Sequence, residues 1–86
     1  MTPTVTLIED ALKNAFHPDF LEVFDDRAEH IGHANQDSGH FTVVIKSPVF
    51  EGKNAIARHR MVYAALGTLM QTHIHALRIQ ANTTTE

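Results

Sequence analysis

The hydrophobic residues of this chain are densest in one stretch with helical spacing, residues 52–70. At 100° per residue, one arc of roughly 140° contains most of the large side chains of this stretch. Asn54 is suited to cap the helix, and Gly52 is suited to form the turn before it. The pattern predicts one long helix whose apolar arc is buried at the centre of the core, and the arc consists of Ile56, His59, Val62, Tyr63, Leu66, Leu69 and Met70.

A second, shorter helix is predicted near the N-terminus. It is expected to begin at Thr2-Pro3 or, one turn later, at a capping box of Thr6 and Glu9. His17-Pro18 is expected to end it, because the residue before a proline disfavours helical geometry. The apolar stripe of this helix consists of Val5, Ile8, Leu12 and Ala15.

Three stretches have the composition or alternation of strands, residues 20–25, 40–47 and 76–81. Between the first two, residues 26–39 are polar and aperiodic, which predicts a long loop of the kind that often carries function. Residues 47–52 are predicted to form a turn with one short helical piece, and residues 82–86 a frayed tail. The core-facing positions of the second and third strands are Phe41, Val43, Ile45, Leu77, Ile79 and Ala81.

The order of these elements predicts the fold. The second strand, the long helix and the third strand form a β-α-β crossover, which pairs the two strands in parallel. The first strand joins the second through a hairpin with a long loop. The sequence therefore predicts a single domain with an α+β fold of order αββααβ, in which helices pack on one face of a three-stranded mixed sheet. The 86 residues leave no room for a second core, and the core is expected over about residues 4–81.

Composition narrows the setting of the protein. The chain has no cysteine, so it has no disulfide framework. It has neither an apolar run long enough to span a bilayer nor a secretory leader pattern, so a cytoplasmic location and no membrane partner are expected. The net charge of −3 differs from the basic excess of most nucleic-acid-binding domains. Seven histidines are the unusual component, and imidazole is the commonest metal ligand in proteins.

The predicted topology brings several histidines to one edge of the sheet. His75 begins the third strand, at the end of its core face, where its ring is expected to be half buried and still reach outward. Because the second and third strands are parallel, their N-terminal ends meet where the long loop also arrives. His30 and His33 of that loop are therefore expected near His75. His40, which opens the second strand, is interpreted as a rim or structural residue, and His59 as a neutral core histidine.

Two neutral imidazoles at one edge are suited to bind a transition metal, but they leave its coordination shell incomplete. Without cysteine, the chain cannot hold an iron–sulfur cluster through four thiolates. It would contribute one or two nitrogen ligands if a second protein supplied thiolates, as in the mixed ligation of Rieske-type centres. The composition therefore indicates a shared site or none. An enzyme is not predicted, because the chain has no cysteine nucleophile, no Gly-x-Ser-x-Gly elbow and no Walker-type loop.

Four motifs occur in order along the chain: GHFTVVIKS at 39–47, FEG at 50–52, RHRMVY at 58–63 and IHAL at 74–77. Together they resemble the BolA family, and the resemblance covers roughly residues 7–84. It implies the αββααβ fold that is similar to class II KH domains. This agrees with the order of elements predicted from the hydrophobic pattern.

The resemblance also implies a partner and a cofactor. BolA-like proteins form heterodimers with monothiol glutaredoxins of the CGFS type, bridged by a [2Fe-2S] cluster for which the glutaredoxin cysteine and glutathione supply thiolates. His75, in the IHAL motif, is implied as one ligand from this chain. His30 matches the position of the second, loop ligand, and His33 is the alternate. The isolated chain is not expected to hold the cluster tightly, and the implied role is in iron–sulfur and iron homeostasis.

A second role implied by the resemblance is regulation of transcription. Some family members are described as regulators of cell shape and stress responses that contact DNA through a helix-turn-helix-like region, which here corresponds to Lys53, Arg58 and Arg60. A helix in a DNA groove gathers its basic residues on one outward face. Arg58 and Arg60 instead project on either side of His59, so DNA binding is kept as the alternative function. A weak homodimer of the free chain is also left open.

Overall fold

The elements follow the predicted order. The computed structural model describes residues 3–26 and 39–84, and the predicted α+β class is confirmed. Within the described residues, every helix is too short or too polar to cross a membrane. The elements are α1 (Pro3–Phe16), β1 (Phe20–Asp25), β2 (His40–Lys46), a 3₁₀ helix (Pro48–Phe50), α2 (Ala55–Leu66), α3 (Leu69–Thr72) and β3 (Ala76–Asn82).

In the described part of the chain, the three strands form one mixed sheet with the order β1-β2-β3. β1 pairs antiparallel with β2, and Asp25 lies opposite Phe41. β2 pairs in parallel with β3, and His40 lies opposite Ala76. The end of β1 and the starts of β2 and β3 therefore lie at the same edge of the sheet. This confirms the parallel pairing that the crossover predicted.

The core lies on one face of the sheet, against α1 and α2. Phe41, Val43 and Ile45 are buried, as the alternation of β2 predicts. Burying a large apolar side chain is worth about 1.5–3 kcal/mol, so this cluster is the main source of stability. The same core cluster includes buried residues of the helical segments, namely Val5, Ile8, Leu12, Phe16, Phe50, Val62 and Leu66.

Helix α1 begins at Pro3, which matches the earlier of its two predicted starts; Thr2 lies outside the described residues. The predicted stripe is wrong at its last position, because Ala15 is exposed and Phe16 is buried in its place. The ring of Phe16 packs against that of Phe50 at a centroid distance of 5.3 Å. The larger side chain therefore takes the core position, and the helix ends before His17 as predicted.

Helix α2 is shorter than the predicted helix and faces the sheet differently. It ends at Leu66, where Gly67 adopts a positive φ of 55°, and the chain then forms the separate turn α3. Ile56 and Tyr63 were predicted in the buried arc, yet they are 63% and 41% exposed. The predicted arc is thus wrong at these two positions, although Asn54 caps the helix as expected, with its Oδ1 accepting from the Ala57 N–H at 2.8 Å.

The face of α2 that packs on the sheet is rotated by roughly 80° from the predicted arc. It contains buried Val62 and Leu66, with Met61 and Ala65 half buried beside them. Arg58 lies on this same face, and its Nη1 donates to the carbonyl oxygen of Ala81 on β3 at 2.9 Å. An arginine stem covers apolar surface while its guanidinium finds hydrogen bonds. The helix can therefore turn a charged residue toward the sheet and Ile56 toward solvent.

The predicted frayed tail is wrong over residues 82–84. Asn82 belongs to β3, and its carbonyl oxygen accepts from the Ser47 N–H at 3.0 Å. Thr83 is buried, and Thr84 Oγ1 donates to Asp19 Oδ2 at 2.7 Å. The tail is therefore tied to the turn that precedes β1. Residues 85–86 lie outside the described residues.

Candidate functional site

His75 lies at the head of β3, at the edge where β2 and β3 begin. Its side chain is exposed, more open than the half-buried ring predicted from strand parity. Its backbone is held firmly, because the carbonyl oxygen of Gly39 accepts both the His75 N–H at 2.7 Å and the Ala76 N–H at 3.0 Å. The result is an accessible imidazole on a fixed main chain.

Gly39 makes room for the imidazole of His75. A Cβ at position 39 would lie 2.5 Å from Cδ2 of the His75 ring, closer than real Cβ atoms approach a neighbour, and 3.1 Å from its Cγ. The φ of Gly39 is +78°, a region that other residues enter at a cost. Gly39 is therefore a positioning residue that the sequence analysis missed. Its only signal in the sequence was its place in the GHF motif.

The ring of His40 lies near the ring of His75 at this edge. The two ring centroids are 6.4 Å apart, with an angle of 56° between the planes. His40 is half buried, and it follows the parity of Thr42 and Val44 as predicted. The sequence analysis placed His40 at the rim but did not pair it with His75. The pairing depends on the register that sets His40 opposite Ala76.

A small cleft of about 270 Å³ opens beside His75. His73 lies on it with its Nδ1 2.6 Å from Thr72 Oγ1, and that hydroxyl donates to the Thr68 carbonyl oxygen at 3.0 Å. The other residues that line the cleft are Thr4, Gly39, Gln71, Thr72, Ile74 and His75.

The two loop histidines, His30 and His33, lie outside the described residues. The chain leaves the described part at Asp26 and returns at Gly39, and both residues belong to the edge that carries His75. Asp26 is tied to β2, because its Oδ2 accepts from Thr42 Oγ1 at 2.9 Å. The proximity of His30 or His33 to His75 stays a prediction.

The opposite end of β3 faces the start of α2 across a cleft of about 510 Å³. Lys53, Arg58 and His59 contribute to its lining. His59 is half buried rather than a core residue, because it lies at the margin of the face that packs on the sheet. Arg60 is exposed on the far side of the helix. The structure therefore does not gather the three predicted nucleic-acid contacts on one face.

The guanidinium of Arg58 is engaged within the fold. Its Nε donates to the Lys53 carbonyl oxygen at 2.9 Å, and its Nη1 donates to the Ala81 carbonyl oxygen at 2.9 Å. These bonds tie the first turn of α2 to the end of β3. Of the three cationic residues, Lys53 and Arg60 are the exposed ones.

The described residues do not by themselves form a complete metal site. Over residues 3–26 and 39–84, no group of three His, Cys, Asp or Glu side chains is placed to hold a metal ion. The edge at His75 offers imidazole nitrogens and no thiolate. It therefore suits a role in which other ligands come from elsewhere.

Comparison with protein families gives a match over most of the chain. The family described as BolA-like protein matches residues 12–86. The chain is 42% identical over 79 residues to the DNA-binding transcriptional regulator BolA of Escherichia coli, covering 92% of this chain and 74% of that protein. It is 40% identical over 83 residues to BolA-like protein 1 of Homo sapiens, covering 94% of this chain and 58% of that protein.

Solved structures give the same result for the fold. BolA1 from Arabidopsis thaliana superposes with a TM-score of 0.86 at 34% identity, covering 100% of this chain and 98% of that chain. The BolA domain of SufE1 from the same plant superposes with a TM-score of 0.88 at 33% identity, covering 99% and 96%. BolA1 from Mus musculus gives a TM-score of 0.80 at 36% identity, covering 99% and 68%.

Proposed function

Because this chain belongs to the BolA family, we propose that it acts as the partner of a monothiol glutaredoxin and supplies imidazole ligands to a shared [2Fe-2S] cluster. The observation that carries the proposal is the exposed imidazole of His75 on a main chain fixed by Gly39. The ring can be approached from outside the chain without unfolding any part of β3. The role belongs to iron–sulfur and iron homeostasis.

The donor set of this chain fits a shared cluster and not a private one. Four thiolates are the usual ligands of a [2Fe-2S] cluster, and this chain has no cysteine. Imidazole replaces two thiolates on one iron in Rieske centres, so histidine ligands are chemically suitable. The thiolates would therefore come from the glutaredoxin cysteine and from glutathione, while His75 would supply one of the two remaining ligands.

The second imidazole from this chain is assigned to the segment between β1 and β2. That segment joins Asp26 to Gly39, and both residues lie at the edge of the sheet that carries His75. His30 is the first candidate, and His33 is its alternate.

The proposal is tested by reconstituting the cluster with a CGFS-type glutaredoxin, glutathione and this chain. We expect visible absorption and circular dichroism that differ from those of the glutaredoxin homodimer. His75→Ala should abolish that difference, whereas His73→Ala, which removes a neighbouring exposed imidazole, should preserve it. A spectrum that is unchanged by His75→Ala would rule out the ligand. Single His30→Ala and His33→Ala variants then separate the two loop candidates.

DNA binding is the second candidate function. Relatives from Escherichia coli and Vibrio cholerae are named DNA-binding transcriptional regulators, and the cleft at the start of α2 carries Lys53, Arg58 and His59. Binding there should weaken steeply with salt and on Lys53→Glu, because phosphate contacts dominate such affinity. The absence of amide shift changes when DNA is added at low salt would count against it.

A further inference from the structure

His40 and His75 form a pair for which the proposed function uses only one member. His40 opens β2 directly opposite Ala76, and His75 is the residue before Ala76, so the two rings flank the start of the parallel ladder. We propose that His40 and His75 together bind a divalent transition-metal ion, such as Zn²⁺ or Ni²⁺, when the chain is free of any partner. This inference does not require the glutaredoxin role.

The separation of the rings suits one bridging ion. A Zn–N bond is about 2.0–2.1 Å, so a ring centroid lies roughly 3.2 Å from a metal ion that its nitrogen binds. Two rings on one ion then have centroids at most roughly 6.4 Å apart, and the distance is shorter for a tetrahedral angle. The observed 6.4 Å lies at this limit, so both nitrogens reach one ion at a tetrahedral angle only when the exposed His75 ring moves toward His40.

The two imidazole side chains favour ions that bind nitrogen ligands. Neutral imidazole suits Zn²⁺, Ni²⁺ and Cu²⁺, whereas Mg²⁺ and Ca²⁺ prefer oxygen ligands. His75 is exposed and His40 half buried, so an ion reaches the pair from solvent. Each ring has two nitrogens, and a metal-bound histidine ordinarily keeps a hydrogen bond on the other one.

The ion would exchange readily with solvent, because the described residues supply no third protein ligand. No group of three His, Cys, Asp or Glu side chains is placed for a metal ion in the described ranges, so water fills the open positions. Since the ion occupies His75, it would exclude that ring from any cluster shared with another protein. The free chain would thereby hold its cluster ligand in a metal-bound state that a partner must displace.

The test is titration of the full chain with Zn²⁺ and, separately, Ni²⁺, followed by calorimetry and by the ring ¹⁵N shifts of all histidines. We expect 1:1 binding that shifts the ring nitrogens of both His40 and His75. His40→Phe keeps an aromatic ring and removes the nitrogens, and His75→Ala removes the second ligand. Each should weaken affinity at least about tenfold, since even outer-shell changes cost 10–100-fold. His73→Ala is the matched control and should bind like the parent.

The loop histidines provide the decisive counter-test. A chain with both His30→Ala and His33→Ala should retain the ion if His40 and His75 hold it. Loss of binding in that variant, unchanged binding in His40→Phe, or no binding by the parent would each overturn the inference. Ring shifts confined to other histidines would do the same, and they are measured without any substitution. The cluster experiment stays separate, because His40→Phe should leave the glutaredoxin-dependent spectrum in place.

Discussion

At the two ends of β3, a candidate functional side chain is held by the fold in opposite ways. At the start of the strand, the backbone of residues 75–76 is hydrogen-bonded to Gly39, and the His75 ring is left exposed. At its end, the side chain of Arg58 donates to the backbone of Ala81 and is used within the fold. A candidate ligand can therefore be recognised by whether the fold holds its backbone or its side chain. The main chain of His75 is fixed by hydrogen bonds and its side chain stays accessible, whereas the side chain of Arg58 is itself hydrogen-bonded to backbone carbonyl oxygens.

The largest expected effect tests the orientation of α2 that brings Arg58 onto β3. Leu66→Ala should destabilise the fold by about 2–5 kcal/mol, because a buried leucine leaves a cavity when truncated; Leu66 is 3% exposed. Ile56→Ala, at the exposed position that the hydrophobic pattern placed in the same arc, should change stability by less than about 0.5 kcal/mol. Urea denaturation of the two variants measures both values. Similar losses would mean that Ile56 is buried after all.

The next effect concerns the end of β3. Arg58→Met keeps much of the stem and removes the donors, so it should cost about 1.5–3 kcal/mol, the range for hydrogen bonds to charged groups. Lys53→Met is the control on the same cleft and should stay within about 0.5 kcal/mol of the parent, because Lys53 is exposed. Thermal and urea unfolding provide the measurement. If Arg58→Met unfolds like the parent, the contrast between the ends of β3 is lost.

A smaller effect is expected at the start of β3. Gly39→Ala should destabilise the fold by about 1–2 kcal/mol, because alanine is strained at positive φ. The added Cβ would also displace the His75 ring, so the glutaredoxin-dependent spectrum should change although His75 itself is intact. Gly52→Ala is the matched control, since Gly52 has a φ of +76° but no atom within 4 Å of an added Cβ. The Gly52→Ala variant should be destabilised by a similar amount and should keep the glutaredoxin-dependent spectrum.

The smallest effect on stability is expected for the exposed histidines themselves. His75→Ala and His73→Ala should each unfold within about 0.5 kcal/mol of the parent, because both side chains are exposed. Only His75→Ala should alter the cluster spectrum. A marked loss of stability in His75→Ala would place this ring among the structural residues, as Arg58 is.

Local pattern predicted much of the fold correctly. The alternation of Phe41, Val43 and Ile45 identified β2 and its buried face, because strand periodicity is a property of the backbone at that place. The cap at Asn54 was predicted for a similar reason, since a cap is formed within one turn of helix. The parallel pairing of β2 and β3 followed from the β-α-β connection, because a helix between two strands returns the chain to the end of the sheet where the first strand began.

The sequence could not determine how α2 is turned on the sheet or which side chains meet across strands. Apolar residues of α2 occur around much of its circumference, and a long arginine stem can occupy its buried face. Periodicity alone therefore did not exclude Ile56 and Tyr63 from the core. The approach of His75 to Gly39 and to His40 depends on the register between strands whose paired residues are 36 positions apart in the chain. The register is fixed when both strands pack against the same helices, because a shift by one residue would move the apolar side chains to the other face of the sheet. By itself, the sequence determined the elements and identified His75 as a candidate ligand. The tertiary structure decided that the ring of His75 is exposed and lies near His40, and that its backbone is hydrogen-bonded to Gly39.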